Sequence, residues 1–180
     1  MTYVSESSLM KKACVHSPIG QLTVVASEVG IRRIFFASLT DAQKSFLSDV
    51  EHDPRHHILE KALTQLTEYF NEVRNSFDVE LDLVGTDFQR QAWLSLAAVD
   101  YGCTATYAQQ AASLGRPKAV RAVGSANKMN PVPIVLPCHR IIGSNGSLTG
   151  FAGGLDTKKW LLDHERSVLD RQSHKETACN

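Results

Sequence analysis

A cysteine and a histidine stand side by side at the end of a stiff, apolar segment of this chain. Residues 130–142 read NPVPIVLPCHRII, and three prolines within seven residues exclude a regular helix there. The apolar residues between them predict that the segment is buried. A thiolate at Cys138 is a strong nucleophile once a base has removed its proton. Neighbouring side chains on an extended segment point apart, so His139 requires a bridging water to act as that base.

The remaining cysteines indicate neither a metal site nor a disulfide framework. No CxxC pair and no zinc-finger spacing with histidine occurs among the four, which are Cys14, Cys103, Cys138 and Cys179. We therefore predict reduced thiols, no metal and no cofactor. A cysteine hydrolase is an alternative interpretation of Cys138 and His139, but hydrolase dyads usually come from distant sequence positions.

Two short helices with a tight turn between them precede this segment. The first is predicted over residues 106–114, with Thr106 as its N-cap and Gly115 at its end. The second is predicted over residues 117–128, with Pro117 in its first turn. One face of this second helix carries polar and basic side chains at spacings of three, four and three: Lys118, Arg121, Ser125 and Lys128. The pattern is typical of a helix-turn-helix, and the alternative is a solvated basic face on a packed helix.

The charge distribution divides the chain although its net charge is zero. Residues 1–85 carry eight basic and twelve acidic side chains, whereas residues 86–155 carry six basic and two acidic ones. This asymmetry predicts two domains, of which the second meets an anionic partner. No stretch approaches the roughly 20 apolar residues of a membrane span, and the N-terminus lacks the apolar core of a signal peptide. We therefore expect a cytoplasmic protein that does not interact with membranes.

The elements that must position these residues follow from hydrophobic spacing. Residues 13–36 predict a β-meander, residues 58–70 an amphipathic helix, and residues 77–83 a further strand. Together they predict an α/β domain that ends at residue 85. The overall fold class is therefore α+β.

The second predicted domain, residues 86–166, is mainly helical. A helix over residues 87–98 opens it, and a helix over residues 156–165, capped by Asp156, closes it. Between the cysteine segment and this last helix, five glycines within residues 143–154 predict a flexible loop or close contact with a ligand. Residues 167–180 show no periodicity and are predicted to be a disordered tail.

These motifs together resemble those of the methylated-DNA–protein-cysteine methyltransferases. The resemblance rests on Asn130-Pro131, on Pro137-Cys138-His139-Arg140 and on the sequence GFAGGL of residues 150–155. It extends from Phe88 to Glu165, in order and at the right spacing, and is looser in the N-terminal half. The resemblance implies a ribonuclease-H-like N-terminal domain and a helical C-terminal domain that carries the helix-turn-helix. It also implies repair of O6-alkylated guanine, and of O4-alkylated thymine as a further candidate substrate, in double-stranded DNA.

The resemblance also implies a catalytic set. Cys138 accepts the alkyl group and is consumed, His139 acts on it through water, and Glu165 orients His139. Asn130 bridges the helix-turn-helix to the cysteine segment. Arg140 is expected to hold that segment against backbone carbonyls and is not assigned to catalysis.

The recognition helix is implied to enter the minor groove, and the damaged base must leave the stacked duplex to be reached. Arg121 is expected to fill the gap that the base leaves. Lys118, Ser125 and Lys128 are expected to lie at the DNA backbone. The base pocket is expected to be lined by Tyr107, Ile141, Phe151 and Ala152. We expect a monomer, for which cooperative assembly on DNA is open.

This chain departs at two points from the family that it resembles. Phe151 and Ala152 stand where some members of that family have tyrosine and serine. We therefore expect one side-chain hydrogen bond to the base oxygen to be absent, and the preferred alkyl group is open. Ala26 stands where animal relatives with a zinc site have a cysteine. Two alternatives to an alkyltransferase are a non-catalytic binder of alkylated DNA, which commonly has tryptophan in place of the cysteine, and a helix-turn-helix regulator. The regulator leaves the Pro-Cys-His-Arg segment without a purpose.

Overall fold

The computed structural model describes residues 9–178, with side chains described as far as residue 171. The chain divides between Val84 and Gly85 into two compact units, one residue from the boundary that the sequence predicts. Within the described range, no helix is long and apolar enough to cross a membrane.

The first unit is built on a four-stranded sheet with the order β3-β2-β1-β4. Its strands are β1 (Lys11–Ser17), β2 (Gly20–Ala26), β3 (Ile31–Phe35) and the short β4 (Glu51–His52). The first three pair antiparallel, as the predicted meander requires, and β4 joins β1 in parallel. Val24 and Val25 are both fully buried. Since successive side chains of a strand point to opposite faces, both faces of the sheet are covered.

Two helices cover this sheet. The helix α2 (His57–Phe70) packs on β1 and β2 and confirms the helix predicted over residues 58–70. The helix α1 (Asp41–Ser48) was not predicted, although its capping box between Thr40 and Gln43 is visible in the sequence as a T-x-x-Q pattern. Leu47 of α1 lies in an apolar cluster with Val25 of β2.

The prediction of a strand over residues 77–83 is wrong. Of these residues only Leu81 forms a β-bridge, and its partner is Ile31. The N–H of Ile31 donates to the carbonyl of Glu80, and the carbonyl of Ile31 accepts from the N–H of Asp82. The backbone of Asp78 is instead held by the side chain of Gln65, which donates to its carbonyl at 2.9 Å and accepts from its N–H at 2.8 Å. These side-chain bonds replace the ladder that a strand would need.

The second unit is mainly helical, as predicted. Its helices are α3 (Asp87–Ser95), followed by a 3-10 turn (Leu96–Ala98), then α4 (Tyr107–Ser113), α5 (Val120–Lys128) and α6 (Leu155–Ala178). The indole N–H of Trp93 in α3 donates to the carbonyl of Ala126 in α5 at 2.7 Å. Thr106 caps α4 as predicted, and Gly115 follows that helix with a positive φ of 69°. These two residues mark the ends of α4.

The second helix of the helix-turn-helix begins later than predicted. Residues 116–119 form a turn in which the N–H of Ala119 donates to the carbonyl of Arg116 at 2.8 Å. Proline is favoured at the second position of such a turn, so Pro117 stabilises the turn rather than the first turn of α5. Lys118 therefore lies outside the helix that carries Arg121.

The last helix is longer than predicted. It begins at Leu155, so Asp156 lies in its first turn instead of capping it, and it continues to Ala178. Residues 167–178 are therefore helical where the sequence predicts a disordered tail, and residues 179–180 lie outside the described residues. Val168 is buried, so the first of the additional turns beyond Glu165 packs on the fold.

Candidate active site

Cys138 lies in a 3-10 turn (Cys138–Arg140) that follows the stiff segment, and its side chain is buried. All residues from 132 to 141 are buried, as the apolar pattern predicts. Ile134 has a φ of 76°, a region that β-branched residues rarely adopt. After Arg140 the chain enters β6 (Ile141–Ile142), which pairs in parallel with β5 (Ala105–Thr106) just before α4.

Asn130 ties the end of α5 to the cysteine segment. Its side-chain N–H donates to the carbonyl of Leu136 at 2.7 Å, and its side-chain oxygen accepts from the N–H of Val132 at 3.1 Å. Burial raises the pKa of the Cys138 thiol to about 11, although a hydrogen bond with Asn130 and the positive charge of Lys158 act in the opposite direction. Cys138 therefore needs a base before it can act as a nucleophile.

His139 is paired with Glu165 in the interior. The ring Nε2 lies 2.8 Å from the Glu165 carboxylate, and both side chains are fully buried. Burial lowers the pKa of His139, and the charges of Arg140 and Lys158 lower it further against the opposing effect of Glu165. The buried Nδ1 of the ring has no hydrogen-bond partner among the described residues. With Nε2 as the donor to Glu165, Nδ1 is a proton acceptor.

Glu165 is also bound by Arg140, which the sequence did not predict. The Arg140 Nε and Nη2 donate to the two carboxylate oxygens at 2.9 and 3.0 Å. The N–H of Gly102 donates to the same carboxylate at 2.9 Å. Burial opposes ionisation of Glu165, but the bonds from His139 and Arg140 outweigh it and lower the pKa to about 2. The predicted contact of Arg140 with a carbonyl is present too, since Nη1 donates to Val99 at 2.6 Å.

Lys158 is a second residue that the sequence reasoning missed. It lies on α6, its side chain is fully buried, and its Nζ donates to the carbonyls of Ile141 at 2.6 Å and Thr149 at 2.9 Å. Desolvation lowers its pKa. No local pattern reveals this burial, because lysines are mostly exposed. The only hint is its position three residues before the apolar Leu161, which places the two on one face of the helix.

The residues predicted for the base pocket are only partly brought together. The ammonium of Lys158 lies 6.0 Å from the ring of Tyr107, whose hydroxyl is 3.2 Å from that of Thr149. The ring of Phe151 meets His139 edge-on with the centroids 6.4 Å apart. Ile141 is fully buried, and Ala152 is exposed.

The residues predicted for DNA contact lie on an open surface. The side chains of Arg121, Ser125 and Lys128 are exposed on α5, and Lys118 is exposed in the turn before it. A Cβ built on Gly124 would lie 3.8 Å from the ring of Tyr107, so the start of α4 packs directly beside α5. Among the described residues, no group of three His, Cys, Asp or Glu side chains is placed to hold a metal.

The two halves of the chain match two family models. Residues 10–83 match the ribonuclease-like domain of 6-O-methylguanine DNA methyltransferase, and residues 87–167 match its DNA-binding domain. These matches confirm the predicted α+β fold class and its order of domains.

Named relatives cover nearly the whole chain. The methylated-DNA–protein-cysteine methyltransferase of Methanosarcina barkeri is 41% identical over 86% of this chain and 96% of its own length. The constitutive enzyme of that name from Bacillus subtilis is 42% identical over 83% of this chain and 92% of its own. The structure of Mycobacterium tuberculosis OGT in complex with DNA is 39% identical, with a TM-score of 0.76 over 88% of this chain and 93% of that one. The chain belongs to the methylated-DNA–protein-cysteine methyltransferase family.

Proposed function

We propose that this protein repairs DNA by moving an alkyl group from O6 of guanine, or from O4 of thymine, to the sulfur of Cys138. The observation that carries the proposal is the buried set of Cys138, His139 and Glu165, present in a chain about 40% identical to named methyltransferases. A plain helix-turn-helix regulator has no use for such a set.

The proposed reaction is an in-line displacement. The Cys138 sulfur forms a bond to the alkyl carbon while the bond from that carbon to the base oxygen breaks, and its electron pair stays on the oxygen. The thiol proton passes through a bridging water to Nδ1 of His139. The released guanine anion takes up one proton, so that the thiol proton and the alkyl group are exchanged overall. Glu165 holds the ring and stabilises the imidazolium that forms. No cofactor is required.

The proposed substrate is double-stranded DNA with the damaged base rotated out of the stack. Unstacking costs a few kcal/mol, and the exposed Arg121 is the side chain that we place in the gap left by the base. Tyr107, beside Gly124 at the helix-turn-helix, is suited to press on the adjacent phosphate and to donate a hydrogen bond to the flipped guanine. Lys118, Ser125 and Lys128 approach the DNA backbone. We propose that the protein acts in the cytoplasm as a monomer.

The experiment that tests the proposal is intact-protein mass spectrometry after incubation with a duplex that contains O6-methylguanine. We expect a gain of one methyl group, mapped to Cys138, and its loss in Cys138→Ala. The exposed Cys14 and Cys103 provide matched controls, since Cys14→Ala and Cys103→Ala should be methylated as in the wild type. Methylation of Cys138→Ala would refute the mechanism, and unmethylated wild type that still binds the duplex would favour a non-catalytic binder.

A further inference from the structure

Glu165 accepts hydrogen bonds from the ring of His139, from the guanidinium of Arg140 and from a backbone amide, and the proposed reaction uses only the first of these partners. His139 donates to one carboxylate oxygen. Arg140 spans both oxygens through Nε and Nη2, and the N–H of Gly102 occupies the second oxygen. The carboxylate is therefore fixed in position and in rotation by bonds that do not involve the histidine.

The guanidinium is itself fixed. Its Nη1 donates to the carbonyl of Val99, which follows the 3-10 turn after α3, and its charge lies 5.5 Å above the ring of Tyr101. The side chain of Arg140 is almost fully buried. A buried, bidentate guanidinium has one orientation, which a lysine in its place cannot reproduce.

We propose that Arg140 is a positioning residue for the transfer reaction: it holds Glu165 so that His139 presents Nδ1 as the proton acceptor, and it opposes permanent protonation of His139. A carboxylate that is paired with a guanidinium raises the pKa of a neighbouring histidine less than an unpaired carboxylate does. His139 therefore stays neutral until it takes the proton of Cys138. This inference rests on the proposed function.

The charged groups around His139 act on its pKa in opposite directions. Glu165 and Lys158 act on the ring from α6, and Arg140 acts on it from its own turn. Phe151 closes one side with an uncharged ring edge. Glu165 favours protonation of the ring, whereas Arg140 and Lys158 oppose it. Removal of the Arg140 charge leaves Glu165 less compensated and raises the pKa of His139.

The first test is the pH profile of single-turnover transfer from a methylated duplex. The transfer rate should fall in acid as His139 becomes protonated. Arg140→Gln should therefore move the midpoint of this fall to higher pH. For each unit of that shift, the rate on the acid side falls about tenfold relative to the alkaline plateau. Arg140→Lys keeps a cation and should keep the wild-type midpoint even where its rate is lower. Arg90→Met, at an exposed pair with Asp87 on α3, is the control that should leave the profile unchanged.

A merely structural role predicts a different result. Arg140→Gln and Arg140→Lys would then lower the rate by one factor at every pH and leave the midpoint in place, and that outcome would overturn the inference. If Arg140→Gln does not fold, Arg140→Met removes the same charge and carries the same expectation.

The second test needs no substrate. In ¹⁵N NMR of the full chain, with His139 assigned by the signal lost in His139→Gln, wild-type His139 should be neutral at pH 7, with the proton on Nε2. Its titration midpoint should rise in Arg140→Gln. A wild-type His139 that is protonated at pH 7, or carries its proton on Nδ1, would overturn the inference. Because these signals do not depend on transfer, failure of the proposed function is distinguishable from failure of this inference.

Discussion

At the scale of single residues, the site combines a reactive group that is mostly protonated with the groups that can change this state. Burial keeps the Cys138 thiol protonated near neutral pH, and its pKa of about 11 implies a very small thiolate fraction. His139 is kept neutral by the same burial. The two effects together favour the uncharged form of both groups, and we propose that the proton moves only when a substrate lies in line with the sulfur.

The depressed pKa of Glu165 predicts a dependence of stability on pH. Its value in the folded protein, about 2, lies below the ordinary value of 4.5. The stabilisation from its ionised form is therefore complete above about pH 4.5 and is lost as the pH falls towards 2. We expect Glu165→Gln to unfold at a lower denaturant concentration than the wild type at pH 7, because Arg140 then lacks its buried counter-ion.

The measurement is chemical denaturation of both proteins between pH 7 and pH 2.5, during which the difference in unfolding free energy should narrow. Glu60→Gln, at an exposed position of α2, provides the comparison and should differ little from the wild type throughout. If the difference in unfolding free energy between Glu165→Gln and the wild type stayed constant down to pH 2.5, the charge of the carboxylate would contribute nothing to stability.

At the scale of elements, the turn before α5 separates Lys118 from the helix that carries Arg121 and Lys128. We expect Lys118→Ala and Lys128→Ala to weaken binding to every DNA and to reduce its salt dependence, because each removes a proposed phosphate contact. Arg121→Ala should instead slow transfer from duplex DNA far more than it weakens binding. Its side chain is proposed to fill the space of the extruded base.

The free alkylated base provides the control for Arg121, because it needs no flipping. The rate of alkyl transfer from the free base to the Arg121→Ala variant should be almost unchanged. Transfer rates are measured by single-turnover kinetics, and the DNA affinity of the variant is measured separately. Equal losses of transfer from duplex and free base would assign Arg121 to the fold or to the pocket.

Elements with strong periodicity or clear caps were predictable from the sequence, and those held by distant partners were not. The meander, α2 and the Thr106 cap follow from local patterns. The segment at residues 77–83 has the composition of a strand, but the side chain of Gln65 binds its backbone from another element. The Cys138–His139 motif was likewise visible, whereas the burial of Lys158 and the Arg140–Glu165 pair arise only when α6 packs on the cysteine turn.

At the scale of the whole molecule, the net charge is zero, but residues 86–155 are basic. This stretch lies within residues 87–167, apart from its first residue, and those residues match the DNA-binding domain of the family. Repair by this molecule is expected to be stoichiometric. The product of transfer is a thioether, and no described group at the site can release the alkyl group from it. With excess methylated duplex, the amount repaired should equal the amount of active protein, and a chelator should not change it. Repeated turnover, or loss of repair with a chelator, would contradict this expectation.

Lys158 joins the carbonyls of Ile141 and Thr149, and so closes the intervening loop with one buried ammonium. At the tip, Gly146 has a φ of 79° and open space around it. Where the added residues are flexible, doubling the length of a loop costs only about 0.6 kcal/mol. A peptide inserted between residues 145 and 146 would break the bonds of Ser147 to Asn145 and of Gly146 to Gly143. Because these bonds lie at the exposed tip, the fold should be retained. The loop offers a place for an epitope or a fluorescent label on a protein that we propose is consumed when it acts.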